Sequence, residues 1–298
     1  MENSLNWKET LITRAIRIAG YSAIIFVVMI FLYLMREGLP ALGEVSLTNL
    51  LSSRWYPIEN LFGILPLIGG TLLVTIGASL VAVPVGVCTA VYIAEIAPHW
   101  AREILKPFVE ILAGIPSVVL GFFGILILAP NLRRLLDLPT GLTALAGSLL
   151  LAATSLPTIV SISEDALYAV PKSYRDASVA LGVTRWLTIW HVTVPAARTG
   201  ILTACMLGIG RTVGETMAVL MVTGNAAILP RGLSDLFAPV RTMTATIAAE
   251  MGEVATGSVH YHVLFLIGIV LFIITLLVNL AAATVIFRQH KRAERILS

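Results

Sequence analysis

Charged residues are scarce in this sequence: Asp, Glu, Lys and Arg make up 12% of its 298 residues. A typical soluble domain has about 25%. Hydrophobic residues reach 57%, so the composition excludes an ordinary soluble domain and predicts an integral membrane protein. The formal net charge of +3 does not indicate a nucleic-acid partner, because the basic residues are distributed unevenly with respect to the predicted membrane.

Cysteine is equally rare, with two residues, Cys88 and Cys205, each inside an apolar run. We expect two buried thiols, because the sequence has neither a disulfide framework nor a metal-ligand spacing. The histidines are scattered, and His260 and His262 flank Tyr261, where they would not share a helix face. We therefore expect no metal site and no cofactor.

The sequence also lacks the groups that catalysis and nucleotide binding require. It contains no Gly-x-x-x-x-Gly-Lys loop, so the chain itself is not expected to bind ATP. Ser161 and Ser163 have no neighbouring base that would activate a nucleophile. No catalytic residue is expected.

Long charge-free runs dominate the chain, and a helix needs about 20 apolar residues to cross a bilayer. They predict an all-α membrane protein with six transmembrane helices in a single domain, residues 1–298. The run 60–94 exceeds one span, so we expect a tilted or broken helix, with the break at Pro66 or Pro84; two spans are the alternative. The predicted spans are 18–35, 60–94, 111–132, 138–163, 199–222 and 259–287.

Lysine and arginine are unequally divided between the two sides that these spans define. Six spans put both termini on one side, which holds thirteen of the basic residues against six on the other. Because cytoplasmic loops carry the excess of positive charge, both termini are expected to be cytoplasmic. The segments outside the membrane are then a cytoplasmic N-terminal segment (1–17, expected as a short interfacial helix), a cytoplasmic loop (163–198), an outer loop (223–258) and a cytoplasmic tail (288–298).

The polar stretch 163–198 has the pattern of two short helices with a turn between them. Pro171 stops the first helix and can begin the second, where its missing N–H is not needed. The second helix is predicted over 172–181, with Gly182 as its C-terminal stop. Small residues leave its surface flat enough to enter a groove on another protein; they are Ala177, Ser178 and Ala180.

The spacing of this stretch resembles the signature loop of ABC-importer permeases. That family has Glu-Ala-Ala, three residues, Gly, nine residues, Ile, one residue and Leu-Pro. The matching residues here are Asp176-Ala177-Ser178, Gly182, Val192 and Val194-Pro195. The resemblance implies a type I ABC importer permease fold with a cytoplasmic coupling helix between spans 4 and 5; an ordinary cytoplasmic loop is the alternative. The residues expected to couple to the ATPase are Arg175, Asp176, Ala177, Ser178 and Gly182.

Two charged residues, Arg211 and Glu215, lie deep in the fifth predicted span. A charge at the bilayer centre costs about 2.5–3.5 kcal/mol on insertion scales, so such residues are candidates for function. Their spacing predicts one helix face and an ion pair. One interpretation is that Arg211 compensates a passing anion while Glu215 holds it in place; the other is a structural pair that locks the helices.

Small residues recur at every fourth position of the same span and predict a seam for close helix packing. The seam residues are Gly200, Ala204, Gly208, Thr212 and Thr216. Arg211 and Glu215 are expected to point next to this seam, away from lipid.

The fifth span, GIGRTVGETMAVLMVTGN, is similar to the corresponding span in the permease subunits of the bacterial phosphate ABC importer. The segments VPVGVCTAVYIAE, AGIPSVVLGFFG and TATIAAEMGE are similar as well, and the resemblance covers most of the chain from Leu61 onward. It implies a six-span permease in the cell inner membrane, surrounded by lipid, with a phosphate pathway lined by Arg211, Thr212, Glu215 and Thr216. It also implies a PstA-like second permease subunit, a PstB-like ATPase dimer and a PstS-like phosphate-binding protein as partners.

Two other functions stay open on the residues alone. One is a permease for another oxyanion, sulfate or molybdate. The other is an ATP-independent secondary transporter or channel, although a carrier of this size would more often show inverted repeats and broken half-helices. ATP hydrolysis is expected on the partner ATPase, so the chain is not predicted to be an enzyme.

Overall fold

Six helical segments of the computed structural model are long and apolar enough to cross a membrane. The structure describes the backbone of residues 2–297 and the side chains of residues 7 and 9–284 except 233 and 282, and the count applies to these. The prediction of an all-α membrane protein with six spans is confirmed. The segments are Glu9–Glu44, Leu65–Ile96, Ser117–Leu135, Ala144–Tyr168, Arg185–Gly214 and Val259–Ala281.

The described α-helices are numbered in chain order. They are α1 (Glu2–Gly38), α2 (Ala41–Glu44), α3 (Leu47–Leu50), α4 (Leu65–Val91), α5 (His99–Gly114), α6 (Ser117–Phe123), α7 (Ala129–Leu135), α8 (Ala144–Tyr168), α9 (Lys172–Ala180), α10 (Arg185–Thr188), α11 (Val194–Gly214), α12 (Met217–Val222), α13 (Met243–Glu250) and α14 (Val259–Leu297). Wide π-helical turns follow α4, α6 and α10 directly, at Tyr92–Ile96, Gly124–Leu128 and Ile189–Thr193. Two 3₁₀ turns lie at Pro57–Glu59 and Leu233–Phe237.

The first span belongs to the single long helix α1, which packs along α14 through ring contacts such as Phe31 with Phe272. The prediction of a separate interfacial helix over 1–17 is wrong for the described part of that segment. Residues 2–17 contain no proline or glycine that would end a helix. Residue 1 lies outside the described backbone.

A two-stranded antiparallel hairpin, β1 (Trp55–Tyr56) and β2 (Leu61–Phe62), interrupts the helical fold after the first span. Its turn contains Asn60 in the left-handed conformation (φ 56°), which asparagine adopts more readily than most residues. The buried rings of Trp55 and Phe62 meet at 6.0 Å and attach the hairpin to the core.

The second span is one continuous helix, α4, extended by the turn Tyr92–Ile96. The predicted break at Pro66 or Pro84 is wrong. Pro66 occupies the first turn, where a missing N–H costs nothing, and Pro84 lies inside an unbroken helix.

Helix α8 is the central element of the bundle, with 61% of its most apolar window buried, against 33% or less in the other spans. Ile159 of α8 lies between two glycines of neighbouring helices. A Cβ at Gly86 of α4 would be 2.7 Å from Ile159 Cγ2, and one at Gly208 of α11 would be 2.5 Å from its Cγ1. The backbones of the second and fifth spans therefore both contact the side chain of Ile159 in the fourth span.

The fifth span differs from the prediction at both ends. The helical segment begins at Arg185 rather than at residue 199 and ends at Gly214 rather than at residue 222. Glu215 is extended (ψ 130°), and the short helix α12 follows as a separate element. The predicted loop 163–198 is shortened accordingly, because α8 continues to Tyr168 and the next helix begins at Arg185.

Candidate functional site

Arg211 lies in the last turn of α11 and is exposed on the surface of the isolated chain. Its Nη1 donates a hydrogen bond to Thr158 Oγ1 of α8 at 3.3 Å. The neighbouring Thr212 is buried and donates to the Ile209 carbonyl at 2.7 Å, so its hydroxyl satisfies its own helix. One hydroxyl thus orients the guanidinium, and most of its donors are left to bind another group.

Glu215 is not the partner of Arg211. Two residues four apart share a helix face only when both lie in the helix. The helix ends at Gly214, so Arg211 and Glu215 do not share a face. Among the described residues no ion pair joins the two side chains: Glu215 Oε1 accepts from the Thr216 N–H at 3.2 Å, and Arg211 donates to Thr158. The prediction of an Arg211–Glu215 pair is wrong.

The backbone at this helix end is held from another element. Thr244 Oγ1 of α13 donates to the Glu215 carbonyl at 3.0 Å, and Thr216 Oγ1 donates to the Gly214 carbonyl at 3.2 Å. The last predicted seam residue, Thr216, is therefore outside α11. The rest of the seam packs on α8, where a Cβ at Gly200 would be 2.3 Å from Ala166 Cβ.

Helix α9 occupies the position predicted for the coupling helix, over Lys172–Ala180 rather than 172–181. Gly182 follows the helix end by two residues, and its φ of +76° is the left-handed conformation that glycine adopts without strain. The Gly182 N–H donates to the Val179 carbonyl at 2.9 Å and the Val183 N–H to the Ser178 carbonyl at 3.2 Å, which closes the helix end.

The five residues expected to couple to an ATPase separate into two groups. Asp176, Ala177 and Gly182 are exposed. Ser178 is buried, and its hydroxyl is 2.8 Å from Thr188 Oγ1, which joins α9 to α10.

Arg175, the fifth of these residues, turns into the chain rather than outward. Its Nη2 and Nε contact Glu95 Oε1 at 2.5 and 3.2 Å, and its remaining donors reach the carbonyls of Val170 and Leu167 at 2.9 and 3.0 Å. Sequence reasoning missed Glu95, whose partner is 80 residues away in the chain.

A second ion pair supports the same end of the bundle. Lys106 Nζ of α5 is 3.4 Å from Oε1 of the buried Glu164 near the end of α8. The Glu164 carboxylate raises the pKa of Lys106 above its ordinary value of 10.5, so Lys106 is charged at neutral pH.

The exposed side of helix α9 is apolar where it meets the next turn of chain. Leu181 is 82% exposed, and a groove of about 390 Å³ runs beside it, lined in part by Tyr174, Leu187 and Val192. An exposed apolar helix face beside a groove is typical of a surface that contacts another protein.

On the opposite end of the bundle, Glu250 of α13 joins three elements. Its Oε1 accepts from Trp55 Nε1 at 3.1 Å and pairs with Arg241 Nη2 at 2.7 Å, while Oε2 is 2.8 Å from His260 Nε2. The four side chains come from the hairpin, the loop before α13, α13 itself and α14. The sequence does not predict this cluster, because nothing in the spacing shows that Glu250 and His260 meet.

The two thiols differ. Cys205 of α11 is buried as predicted, but Cys88 is exposed, so that prediction is wrong. Its neighbours Gly86 and Ala90 are the buried residues of that part of α4, which turns Cys88 to the outer face of the helix.

The arrangement of the six spans is that of a type I ABC importer permease. A methionine ABC transporter in its inward-facing conformation has a similar chain, with a TM-score of 0.58 and 20% identity over 79% of this chain and 99% of that one. Residues 82–293 match the family described as "Binding-protein-dependent transport system inner membrane component". The chain belongs to this family and is a membrane-spanning permease component of an ABC importer, which works with ATPase and permease partners.

Curated relatives agree with this assignment. The "Probable ABC transporter permease protein YqgH" of Bacillus subtilis is 41% identical, over 84% of this chain and 82% of its own length. The "Phosphate transport system permease protein PstC" of Mesorhizobium japonicum is 35% identical, over 85% of this chain and 82% of its own. A PstC of Haemophilus influenzae is 29% identical over 96% and 95%.

Proposed function

We propose that this chain is the PstC-like permease subunit of an ATP-driven importer of inorganic phosphate, in which it forms half of the translocation pathway. The observation that carries the proposal is the 35% identity, over 85% of the chain, to a relative named as a phosphate transport permease. Other relatives of that name match with 29–33% identity over 81–96% of the chain.

The position of Arg211 supports an anion as the substrate. A guanidinium stays charged and presents several donors in a geometry that suits phosphate. Among the described residues, Glu215 does not pair with Arg211 and Thr158 accepts from one of its donors, so the other donors can meet an anion that enters between this subunit and a second one. In this proposal Glu215 and Thr216 belong to the wall of the pathway, where Glu215 acts separately from Arg211, and the buried Thr212 packs behind that wall.

The coupling function is assigned to helix α9. A PstB-like ATPase dimer would dock on the exposed Asp176, Ala177 and Leu181, next to the apolar groove. ATP hydrolysis takes place on that partner, and the chain acts by moving rather than by catalysing. A PstA-like subunit would complete the pathway, and a PstS-like protein would deliver phosphate from outside, with both termini of this chain cytoplasmic.

The test is phosphate uptake by proteoliposomes that contain this chain with its second permease and ATPase, supplied with the binding protein and ATP. We expect uptake of labelled phosphate that an excess of sulfate or molybdate does not reduce. Arg211→Gln should lower uptake about tenfold or more, because a charge-assisted contact with the anion is lost, and Arg211→Lys should lower it less.

The matched control is Arg17→Gln, which removes one positive charge from the exposed surface of α1 and should leave uptake unchanged. Transport of sulfate or molybdate in place of phosphate would assign a different oxyanion. Uptake without ATP would contradict the ABC mechanism.

A further inference from the structure

Glu95 connects the coupling helix to the second span. It lies in the wide turn Tyr92–Ile96 that ends α4, and the residue is 8% exposed. The guanidinium of Arg175, on α9, contacts one oxygen of this carboxylate through two nitrogens, at 2.5 and 3.2 Å. A buried carboxylate held in this way ties the position of the turn to the position of α9.

The same guanidinium holds the end of the fourth span. Arg175 donates to the carbonyl of Leu167, in the last turn of α8, and to the carbonyl of Val170, two residues beyond the end of that helix. Its side chain is 24% exposed. The N–H groups of Arg175 therefore bond within the chain, to groups of the second span and of the end of the fourth. Little of the side chain is exposed to a docked protein.

Other cations secure the turn to the neighbouring helices. Arg185 at the start of α10 donates through Nη2 to the backbone carbonyl of Glu95. Arg102 of α5 donates to the carbonyls of Ala94 and Ala97 at 3.0 Å each. Because these contacts fix the backbone on both sides of Glu95, a displacement of its side chain also moves the backbone of the turn.

Movement of α4 has a direct path to the helix that carries Arg211. Gly86 of α4 and Gly208 of α11 both pack against Ile159 of α8, at distances that leave no room for sliding without a matching shift. Thr158, next to Ile159, holds Arg211. The second, fourth and fifth spans thus meet beside the anion-facing guanidinium.

We infer that the Arg175–Glu95 pair transmits movement of the coupling helix to the second span, with both groups acting as positioning residues and neither touching substrate or ATPase. This inference rests on the proposed coupling function of α9 and assigns the contact through which movement of α9 reaches the second span. It replaces the sequence-based expectation that Arg175 contacts the ATPase.

The experiment compares Glu95→Gln, Arg175→Gln and the double variant in the reconstituted complex. Three quantities are measured: ATPase retained on affinity-purified permease, ATP hydrolysis, and phosphate taken up per ATP hydrolysed. We expect retention and hydrolysis to stay near the wild-type level. Phosphate per ATP should fall about tenfold in either single variant, because removing one partner leaves the other as an unpaired buried charge.

The double variant should show the same loss as each single one, since two residues that act through each other are not additive. Arg175→Lys keeps the charge but loses the two-nitrogen contact, and should give an intermediate ratio. It also provides a variant for measurement if Arg175→Gln does not insert. The matched control is Glu103→Gln, which removes an exposed carboxylate from the adjacent α5 and should change none of the three quantities.

Two results would overturn the inference. If Arg175→Gln loses the ATPase during purification while Glu95→Gln retains it, Arg175 is a docking residue. If hydrolysis and uptake fall in proportion, or if neither falls, the pair does not transmit movement. Failure of the wild-type complex to import phosphate would instead count against the proposed substrate, and the ratio can then be measured with the anion that it does import.

Discussion

Gly208 of α11 lies directly against Ile159 of α8, so closely that a Cβ at position 208 would be 2.5 Å from Ile159 Cγ1 and 2.7 Å from its Cδ1. Ile159 is 1% exposed and also fills the space at Gly86. The Ile159 side chain therefore occupies the space that a side chain at either glycine would need.

We predict that Gly208→Ala destabilises the permease, because the added methyl group overpacks the seam. The cost should be about 1–3 kcal/mol, which is usual for an extra carbon in a filled core. Thermal unfolding of the purified protein in detergent measures it. Gly20→Ala, in α1 with no atom near the new Cβ, is the matched control and should not lower Tm.

Removing the obstacle should restore packing at position 208. Combined with Ile159→Ala, the Gly208→Ala substitution should cost less than it does alone, since the two changes share one space. Equal costs in both backgrounds would show that the contact does not limit the approach of the two helices.

A second prediction concerns Arg211 and Glu215, which the structure separates. If they do not pair, Arg211→Gln and Glu215→Gln should act independently, and the double variant should combine both losses of uptake. A true ion pair predicts the opposite, with the second substitution adding little to the first. Phosphate uptake by the three variants, each normalised to inserted protein, decides between the two arrangements.

Gly182 provides a third prediction because its φ of +76° is unfavourable for most side chains, while no atom lies within 4 Å of a Cβ placed there. Gly182→Val should abolish uptake and leave membrane insertion intact, since a β-branched residue in this conformation distorts the end of α9. Gly182→Asn should retain most of the uptake, because asparagine tolerates left-handed backbone. Equal losses in the two variants would indicate that the side chain clashes with the docked ATPase rather than with its own backbone.

The fourth prediction concerns Glu250, which holds the hairpin, α13 and α14 together. Glu250→Gln leaves Arg241, itself 17% exposed, without its carboxylate, and should cost about 2–4 kcal/mol, near the range for a broken buried pair. Trp55→Phe removes the 3.1 Å hydrogen bond and part of a buried ring, and should cost about 1–3 kcal/mol.

Thermal unfolding in detergent measures these costs as well. Glu253→Gln, an exposed carboxylate in the segment that follows α13, is the control for charge and should have little effect. A small effect of Glu250→Gln would mean that water satisfies Arg241 in its place.

The spans were predictable because each depends on a local property, a run of apolar residues long enough to cross a bilayer. The end of α9 at Gly182 was predictable for a similar reason, since glycine is the residue that best tolerates the left-handed turn. The end of α11 was not. Glu215 and Thr216 are ordinary helix residues, and what holds the chain extended there includes a hydroxyl of Thr244, in another element.

The functional residues show the same division. Arg211 was identified from its position in an apolar run, and the structure supplies its neighbour, Thr158. Two other features depend on which elements meet in three dimensions: the pairing of Arg175 with Glu95 and the cluster around Glu250. The spacing of residues along the chain does not show which distant elements are in contact. Sequence reasoning therefore found Arg211 but gave it the wrong partner, and it missed Glu95.

The wide turn at Ile189–Thr193 immediately precedes α11 and takes one more residue per turn than an α-helix. Each residue of a helix rotates its successors by about 100° around the axis. The azimuth of Arg211, and with it the bond to Thr158, is consequently set about five turns upstream of the charge. Inserting or deleting one residue in that turn would rotate Arg211 by about 100° around the helix axis and carry its guanidinium away from Thr158.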